Sequence, residues 1–341
     1  MSGVKHSVTL NFSDGESRRI EVAEDENILD VALDQEVPLL YQCRSGSCAA
    51  CQAKLVEGSA EMRRDVAASL LKSEQQEGQR LICITTPQSD CTLELDYDST
   101  AGSNQPVRAN AFIDAIEWVS RDVVKLSMEL ADGDWIDFIP GQFIQVKVPG
   151  TEQFRSYSFA STPADLPKIE LLIRVLEDGV MSSYLRDRAR VDDVLEIEGA
   201  FGSFFLRDGV KAPHIMIAGG TGLAPMMSML DVIRVRSGKK PNILLSFGCV
   251  DRDGLFYVEE LDLRQQWMPT LQNRISVDKG EAEEGILVGN PVSSLASDAI
   301  DENAVAYLCG PPGMIEAAQS FLLDAGLKPE NIHAEKFVPS E

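Results

Sequence analysis

Along the first hundred residues the spacing of hydrophobic positions changes twice. In VKHSVTLNFSDGESRRIEV, residues 4–22, apolar and polar side chains alternate on either side of the turn SDGE, which predicts two strands joined as a hairpin. In DENILDVALDQEV, residues 25–37, the apolar positions recur every three or four residues and predict a helix. A loop rich in glycine, serine and cysteine follows. A polar, helix-forming stretch runs from about 63 to 78, and RLICITTPQSDCTLEL, 80–95, reads as a closing pair of strands. STAGSNQPV, 99–107, is small, polar and turn-forming, the composition of a linker.

From 107 to about 207 the pattern becomes a series of short strands, VVKLSMEL, QFIQVKV, SYSFAST, KIELLIRV and VLEIEGA, with little helical period, which predicts an antiparallel barrel. From 213 onward apolar strands (HIMIAGG, NILLSFGC, NRISV, VAYLCG) alternate with helical segments (LAPMMSMLDVIRV, YVEELDLRQQW, MIEAAQSFLLDA), which predicts an α/β domain on a parallel sheet. The expected division is therefore 1–98, a linker at 99–106, a barrel at 107–209 and an α/β domain at 210–341. A length of 341 residues suits two or three such domains.

The formal charge of -23 makes nucleic acid and anionic membrane surfaces poor partners, because an acidic surface repels phosphate. No apolar stretch approaches the roughly 18 residues of a membrane span, and no signal peptide is read, so the expected location is cytoplasmic. In that setting seven cysteines, an odd number, point to metal or redox chemistry and away from a disulfide framework.

Three of them fall within CRSGSCAACQAKL, residues 43–55. Cys43, Cys48 and Cys51 obey C-x4-C-x2-C and Cys83 follows 31 residues after the last, the spacing of a plant-type 2Fe-2S site. A reduced cluster gains an electron on an already anionic centre and needs backbone N–H donors close by, which the small residues of this loop allow. Zinc is the competing occupant, but its usual second C-x2-C knuckle is absent. Residues 1–98 resemble a plant-type ferredoxin domain, which implies a β-grasp fold with Cys43, Cys48, Cys51 and Cys83 as ligands. Cys91 and Cys249 read as small core residues.

RSYSFAS, 155–161, resembles the R-x-Y-S strand of the ferredoxin reductase family of flavoproteins, and GVMSSYL, 179–185, supplies a glycine and serine opening a helix, where N–H groups and the helix dipole meet phosphate. The resemblance implies FAD, with Arg155 on its diphosphate, Tyr157 against the ring and ribityl chain, Ser158 near N5 and Gly179, Met181 and Ser182 at the phosphates. GAFGSF, 199–204, resembles a further family loop but carries Ala200 where a proline is usual. Phe337, in EKF, is the expected aromatic cover of the flavin.

IAGGTGLAP, 217–225, is an apolar strand entering a glycine turn that opens a helix, a geometry suited to a dinucleotide pyrophosphate through Gly219, Gly220, Thr221 and Gly222. CGPPGM, 309–314, follows another apolar strand. By the same resemblance Cys309, with Gly310 and Pro311, lies beside the nicotinamide, so that Ser158 and Cys309 are the expected catalytic residues. By the same resemblance FGCVDRDG occupies the place where the family distinguishes its two nicotinamide cofactors; there Asp251 and Asp253 would repel a 2′-phosphate while Arg252 would attract one, and the expected cofactor is NADH.

Ferredoxin, flavin and nicotinamide domains in this order resemble the reductase components of bacterial aromatic-ring dioxygenases of the benzoate, toluate and anthranilate type. That implies an NADH-dependent oxidoreductase in which FAD converts a two-electron donor to one-electron transfers through a 2Fe-2S cluster. The implied partner is a terminal Rieske-type oxygenase that binds the aromatic substrate. The reductase of a phenol or methane monooxygenase shares the domain order, and an iron-sulfur redox sensor without turnover is a reading of a different class.

Overall fold

The structure, a computed structural model, describes residues 4–46, 49–63, 70, 72–102, 106–207, 209–281, 285–295 and 300–337. The chain divides into two compact units, residues 1–106 with 200–203, and residues 107–199 with 204–341.

In the first unit the alternating segments form β1 (Lys5–Asn11) and β2 (Ser17–Ala23), an antiparallel pair joined at the expected turn. The helical segment forms α1 (Ile28–Asp34), where Asn27 caps the first turn by accepting the Asp30 N–H at 2.8 Å and Ile28, Leu29 and Ala32 face inward. The unit continues through β3 (Gln52–Glu57), β4 (Ala60–Met62), α2 (Lys72–Gln76), β5 (Gln79–Leu81), β6 (Thr85–Pro87) and β7 (Cys91–Glu94). The expected helix over 63–78 is thus helical only at α2, and residues 64–69 and 71 lie outside the described residues. The main sheet runs β2-β1-β7-β3-β5, with β1 parallel to β7 and the other register-defined pairs antiparallel, while β4 and β6 form a separate ribbon. Val8, Leu10, Leu29, Leu81 and Leu93 are wholly buried around α1, the β-grasp arrangement of a sheet wrapped on one helix.

The segment following β7 is held to this unit. Ser99 donates both N–H and hydroxyl to Asp14 Oδ2, at 3.0 and 2.6 Å, and Leu40 N–H donates to the Tyr97 hydroxyl at 3.1 Å. A Cβ on Gly102 would stand 2.1 Å from the Pro38 carbonyl oxygen. Residues 99–102 of the expected linker are therefore packed chain, and 103–105 lie outside the described residues.

In the second unit β8 (Val107–Trp118), β9 (Val123–Leu130), β10 (Phe143–Lys147), β11 (Phe154–Ser158), β12 (Lys168–Arg174) and β13 (Val194–Phe201) make a sheet ordered β11-β10-β13-β8-β9-β12. Its two ends meet through a Phe159–Leu171 bridge and the Ala160 N–H to Glu170 carbonyl bond of 2.8 Å, which nearly close an antiparallel barrel. Alternate residues line its interior, among them Ile113, Leu126, Ile169, Leu171 and Ile197, each contributing about 1.5–3 kcal/mol by burial. Among the described residues the barrel carries one α-helix, α3 (Val180–Asp187), besides a 3-10 turn at Pro163–Asp165.

The α/β part comprises β14 (His214–Gly219), α4 (Leu223–Val235), β15 (Ile243–Cys249), α5 (Val258–Trp267), β16 (Leu271–Val277), β17 (Ile286–Val288), β18 (Val305–Gly310), α6 (Pro312–Asp324) and β19 (Ile332–Lys336). All six strands are parallel, in the order β17-β16-β15-β14-β18-β19. The order reverses between β14 and β18, so the crevice outside their carboxyl ends is the topological switch point where such sheets bind ligands. Barrel and α/β part share one hydrophobic core, in which Val123, Ala160 and Leu172 join Met226, Met229 and Phe247, and the buried Ser228 hydroxyl donates to the Ser161 carbonyl at 2.6 Å. Among the described residues no helix is long and apolar enough to cross a membrane.

Candidate functional site

Pairing of β3 with β5 places Gln52 opposite Leu81, so Cys51, immediately before β3, and Cys83, two residues beyond β5, emerge at the same end of the ribbon. The Ile82 N–H donates to the Cys51 carbonyl at 3.1 Å and fixes that juncture. The Cys83 thiol lies within hydrogen-bonding reach of both Cys43 and Cys51. This sharing, with burial and the neighbouring sulfurs, pushes Cys83 far above an ordinary thiol, while the bond from Cys83 draws Cys51 down. Cys51 and Cys83 are buried and Cys43 is half-buried.

The intervening loop turns its backbone inward through Arg44, Gly46 and Ala49, all in the left-handed region at φ 55°, 85° and 58°. The Ser45 N–H donates to Cys43 Sγ at 3.4 Å. A Cβ on Gly46 would lie 2.8 Å from Ile84 Cδ1, so glycine supplies both the turn and the close approach to the Cys83 segment. Cys48 lies outside the described residues. Among the described residues no set of three or more ligands closes around a metal by itself. Three convergent thiols with a backbone donor already on one sulfur fit a centre ligated by thiolates.

On the barrel, Arg155 and Tyr157 share a face of β11, paired with Val146 and Ile144 of β10. The Arg155 guanidinium donates to the Phe154 carbonyl at 2.9 Å and to Gln153 Oε1 at 2.8 Å. Desolvation pushes the Tyr157 phenol well above its ordinary value, partly offset by Arg155. Gly179 caps α3 without a side-chain acceptor, and a Cβ there would stand 2.6 Å from Ser182 Oγ. The Ser182 hydroxyl oxygen accepts the Leu176 N–H at 2.9 Å, so its side chain fastens the preceding loop. What the helix offers an anion is the main-chain N–H groups of Val180, Met181 and Ser182, which have no intrahelical acceptor. That end fits a diphosphate.

At the switch point, Gly219 closes β14 and the turn Gly220–Gly222 enters α4. A Cβ on Gly222 would sit 2.1 Å from the Cys309 carbonyl oxygen, and one on Gly219 would sit 2.7 Å from Met314 Sδ. Side chains are thereby excluded from the turn at the two points where it meets the Cys309 segment. Replacing Gly222 with alanine sets backbone against backbone at the β14–β18 crevice, and a loss of NADH kcat/KM of about tenfold or more is expected, with a fall in the unfolding midpoint matching roughly 1–3 kcal/mol. Steady-state kinetics and thermal melts check it. Gly310, at φ 150°, and Pro311 complete the facing strand end, and the Phe337 N–H donates to the Gly310 carbonyl at 2.9 Å, which seats Phe337 beside it. Cys249 is half-buried below the turn with its sulfur facing the Gly220 N–H, and burial pushes its thiol up to about 12.

The residue that sequence reasoning missed is Glu335. Parallel pairing of β18 with β19 sets Glu335 beside Cys309, and its Oε2 accepts from Ser158 Oγ at 3.2 Å and stands 4.0 Å from Cys309 Sγ. Ser158, Cys309 and Glu335 thus meet, although 177 positions separate the first from the last. Burial pushes the Glu335 carboxyl up to about 8, with Ser158 pulling modestly the other way, so it holds its proton at neutral pH. The Cys309 thiol, wholly buried, is also pushed well above its ordinary value, first by desolvation and then by Glu335. The signal in the sequence is an acidic residue inside a short C-terminal strand, the first residue of the segment EKF that ends in Phe337.

Asp251 follows β15, with Oδ1 accepting the Gly254 N–H at 3.1 Å and Oδ2 3.2 Å from Arg121.

Three domain families match the chain: a 2Fe-2S iron-sulfur cluster binding domain at 11–88, an oxidoreductase FAD-binding domain at 110–206 and an oxidoreductase NAD-binding domain at 216–320. The chain is 32% identical over 340 residues to the toluate 1,2-dioxygenase electron transfer component of Pseudomonas putida, covering 98% of this chain and 99% of that protein. It is 34% identical over 325 residues to the propane 2-monooxygenase reductase component of Mycolicibacterium goodii, covering 92% of each. Among solved structures, the Amycolatopsis cytochrome P450 reductase GcoB superposes with a TM-score of 0.73 at 24% identity, covering 97% of this chain and 99% of that one.

Proposed function

The chain belongs to the family of iron-sulfur flavoprotein reductases that includes the toluate 1,2-dioxygenase electron transfer component, and on that premise we propose that it carries electrons from NADH to the oxygenase component of an aromatic-ring dioxygenase. The observation that carries the reading is the joining of a thiol-lined loop, a flavin barrel and a dinucleotide switch point in one chain that aligns with that relative from end to end.

When bound, FAD accepts two electrons from the nicotinamide and releases them singly, and a 2Fe-2S cluster accepts one at a time. The chain's own residues supply placement. Arg155 and the α3 N-terminus would hold the flavin diphosphate, Tyr157 would cover the ring, and Gly219–Gly222 would cradle the nucleotide pyrophosphate. Phe337, seated on Gly310, would close the far side of the flavin. Ser158, Glu335 and Cys309 form a buried polar row where the two cofactors would meet. The protonated Glu335 carboxyl keeps that row neutral and fixes the Ser158 hydroxyl and Cys309 thiol in place. Cys43, Cys51 and Cys83 would ligate the cluster with Cys48. The partner expected on this reading is of Rieske type.

The 34% identity to the propane 2-monooxygenase reductase favours a second reading, a reductase serving a monooxygenase. Mixing the flavin- and iron-loaded chain with purified oxygenases and measuring NADH and oxygen consumed per substrate hydroxylated separates the two. Coupled turnover with an aromatic-acid dioxygenase, near one NADH per product, is expected. Coupled turnover with a hydrocarbon monooxygenase alone would reverse the assignment.

A further inference from the structure

Reduction adds one negative charge to a centre already held by thiolates, so a fixed charge beside the ligands moves its midpoint potential. Arg44 directly follows Cys43, with its backbone in the left-handed region at φ 55°. Its side chain folds back. The guanidinium lies over the Tyr41 ring, 5.4 Å from the centroid, and Nη2 meets Asp30 Oδ1 at 3.0 Å. Asp30 is itself held on the first turn of α1, where its Oδ2 accepts from Asn27 Nδ2 at 2.6 Å. That helix packs against the buried turn Ile82–Ile84, which carries Cys83. Arg44 thus ties the loop bearing Cys43 to the helix packed on the Cys83 turn, gripped by a ring on one side and a carboxylate on the other.

We propose that Arg44 sets the redox poise of the iron-sulfur centre, its cation favouring the reduced form, with Asp30 as the positioning residue that orients this cation and tempers its charge. One electron passes from the reduced flavin to the centre, and the Arg44–Asp30 pair adjusts the driving force of that step. The inference rests on the ligation proposed above, in which Cys43 holds iron. Arg18, Asp34 and Glu36 line the same hollow as Tyr41 and Arg44, and their charges stay constant when Arg44 or Asp30 is changed. The Arg44 and Asp30 side chains are 53% and 51% exposed, so salt screens the effect.

The test loads the full chain with iron, sulfide and FAD and titrates the cluster reductively at low ionic strength, reading its midpoint potential from the low-temperature paramagnetic signal. R44Q removes the cation and is expected to lower the one-electron reduction equilibrium about three- to tenfold, about 30–60 mV at about 59 mV per decade. D30N removes the anion while Asn27 still caps the helix through the backbone N–H of residue 30, and is expected to raise that equilibrium about two- to fivefold. R44K keeps the charge and should stay within about twofold of wild type, and the double variant R44Q/D30N should return towards it. These shifts should shrink at about 0.5 M salt. A purely structural clamp moves R44Q and D30N in the same direction, because each breaks the same ion pair. Shifts of equal sign overturn the inference, as do an unchanged potential in R44Q or an R44K shift as large as that of R44Q. Where R44Q takes up no iron, the sign of the D30N shift decides. A wild-type chain giving no reduced-state signal overturns the ligation itself, a result distinct from a signal that titrates at an unmoved potential.

Discussion

Cys83→Ser is expected to lower NADH-driven cytochrome c reduction by roughly a hundredfold or more, while ferricyanide reduction, which can draw on the flavin directly, falls far less. Cys83 is the thiol that both described partners reach, so on the proposed ligation its loss would remove a ligand and the centre of the thiol cluster together. Serine keeps the size of the side chain and the buried 3-10 turn Ile82–Ile84, which separates ligand loss from misfolding. Iron analysis and low-temperature paramagnetic resonance of dithionite-reduced protein provide the check. A variant retaining two irons per chain and full cytochrome c activity would show that Cys83 is not a ligand. Because metal binding contributes to the stability of small thiolate domains, the unfolding midpoint of the first unit should also fall.

Glu335 carries the second large effect. Its pKa in the folded chain, about 8, lies above its ordinary value of 4.5, so the stability contributed by the buried neutral form is fully present below about pH 4.5 and is lost as pH rises through about 8. Above pH 8 a carboxylate forms within a buried row that includes Ser158 and Cys309, and NADH:ferricyanide turnover should decline. Glu335→Gln retains a neutral group of the same length and cannot ionise. Its turnover at pH 7 should fall about tenfold, and its profile should lack the alkaline limb, whereas Glu335→Ala should lose about a hundredfold. The unfolding midpoint of the wild type should drop relative to Glu335→Gln between pH 5 and 8. An alkaline limb of the same position in Glu335→Gln would remove the carboxyl from the explanation.

Cys83 and Glu335 differ in how far they can be read from sequence. Cys83 is legible because four cysteines at fixed spacing are a local signal, whereas the β3–β5 pairing that brings Cys51 and Cys83 to one end is not, since QAKLVE carries no clear alternation. The glycine turn at Gly219–Gly222 is legible for the same reason, being a strand, a turn and a helix in succession. Glu335 is not local. Its role depends on β19 adding in parallel to β18, a pairing between elements that the helix α6 separates, and on burial that only the closed domain creates. Asp251 shows the same limit, since the arginine that occupies it comes from the barrel 130 positions earlier. Ser182 lies on the opening turn of α3, but its hydroxyl accepts the Leu176 N–H and so is used by the chain itself, which a spacing argument cannot detect.

The strap from Tyr97 to Gly102 bears on how such reductases exchange parts. Grafting an iron-sulfur module by cutting at residue 98 would strip away the Ser99 bonds to Asp14 and the Gly102 wedge on Pro38, close to the approach to the cysteine loop. A transplanted module keeps its own closure only if the cut falls after Gly102, so recombination between relatives should be tolerated at that boundary and poorly tolerated a few codons upstream.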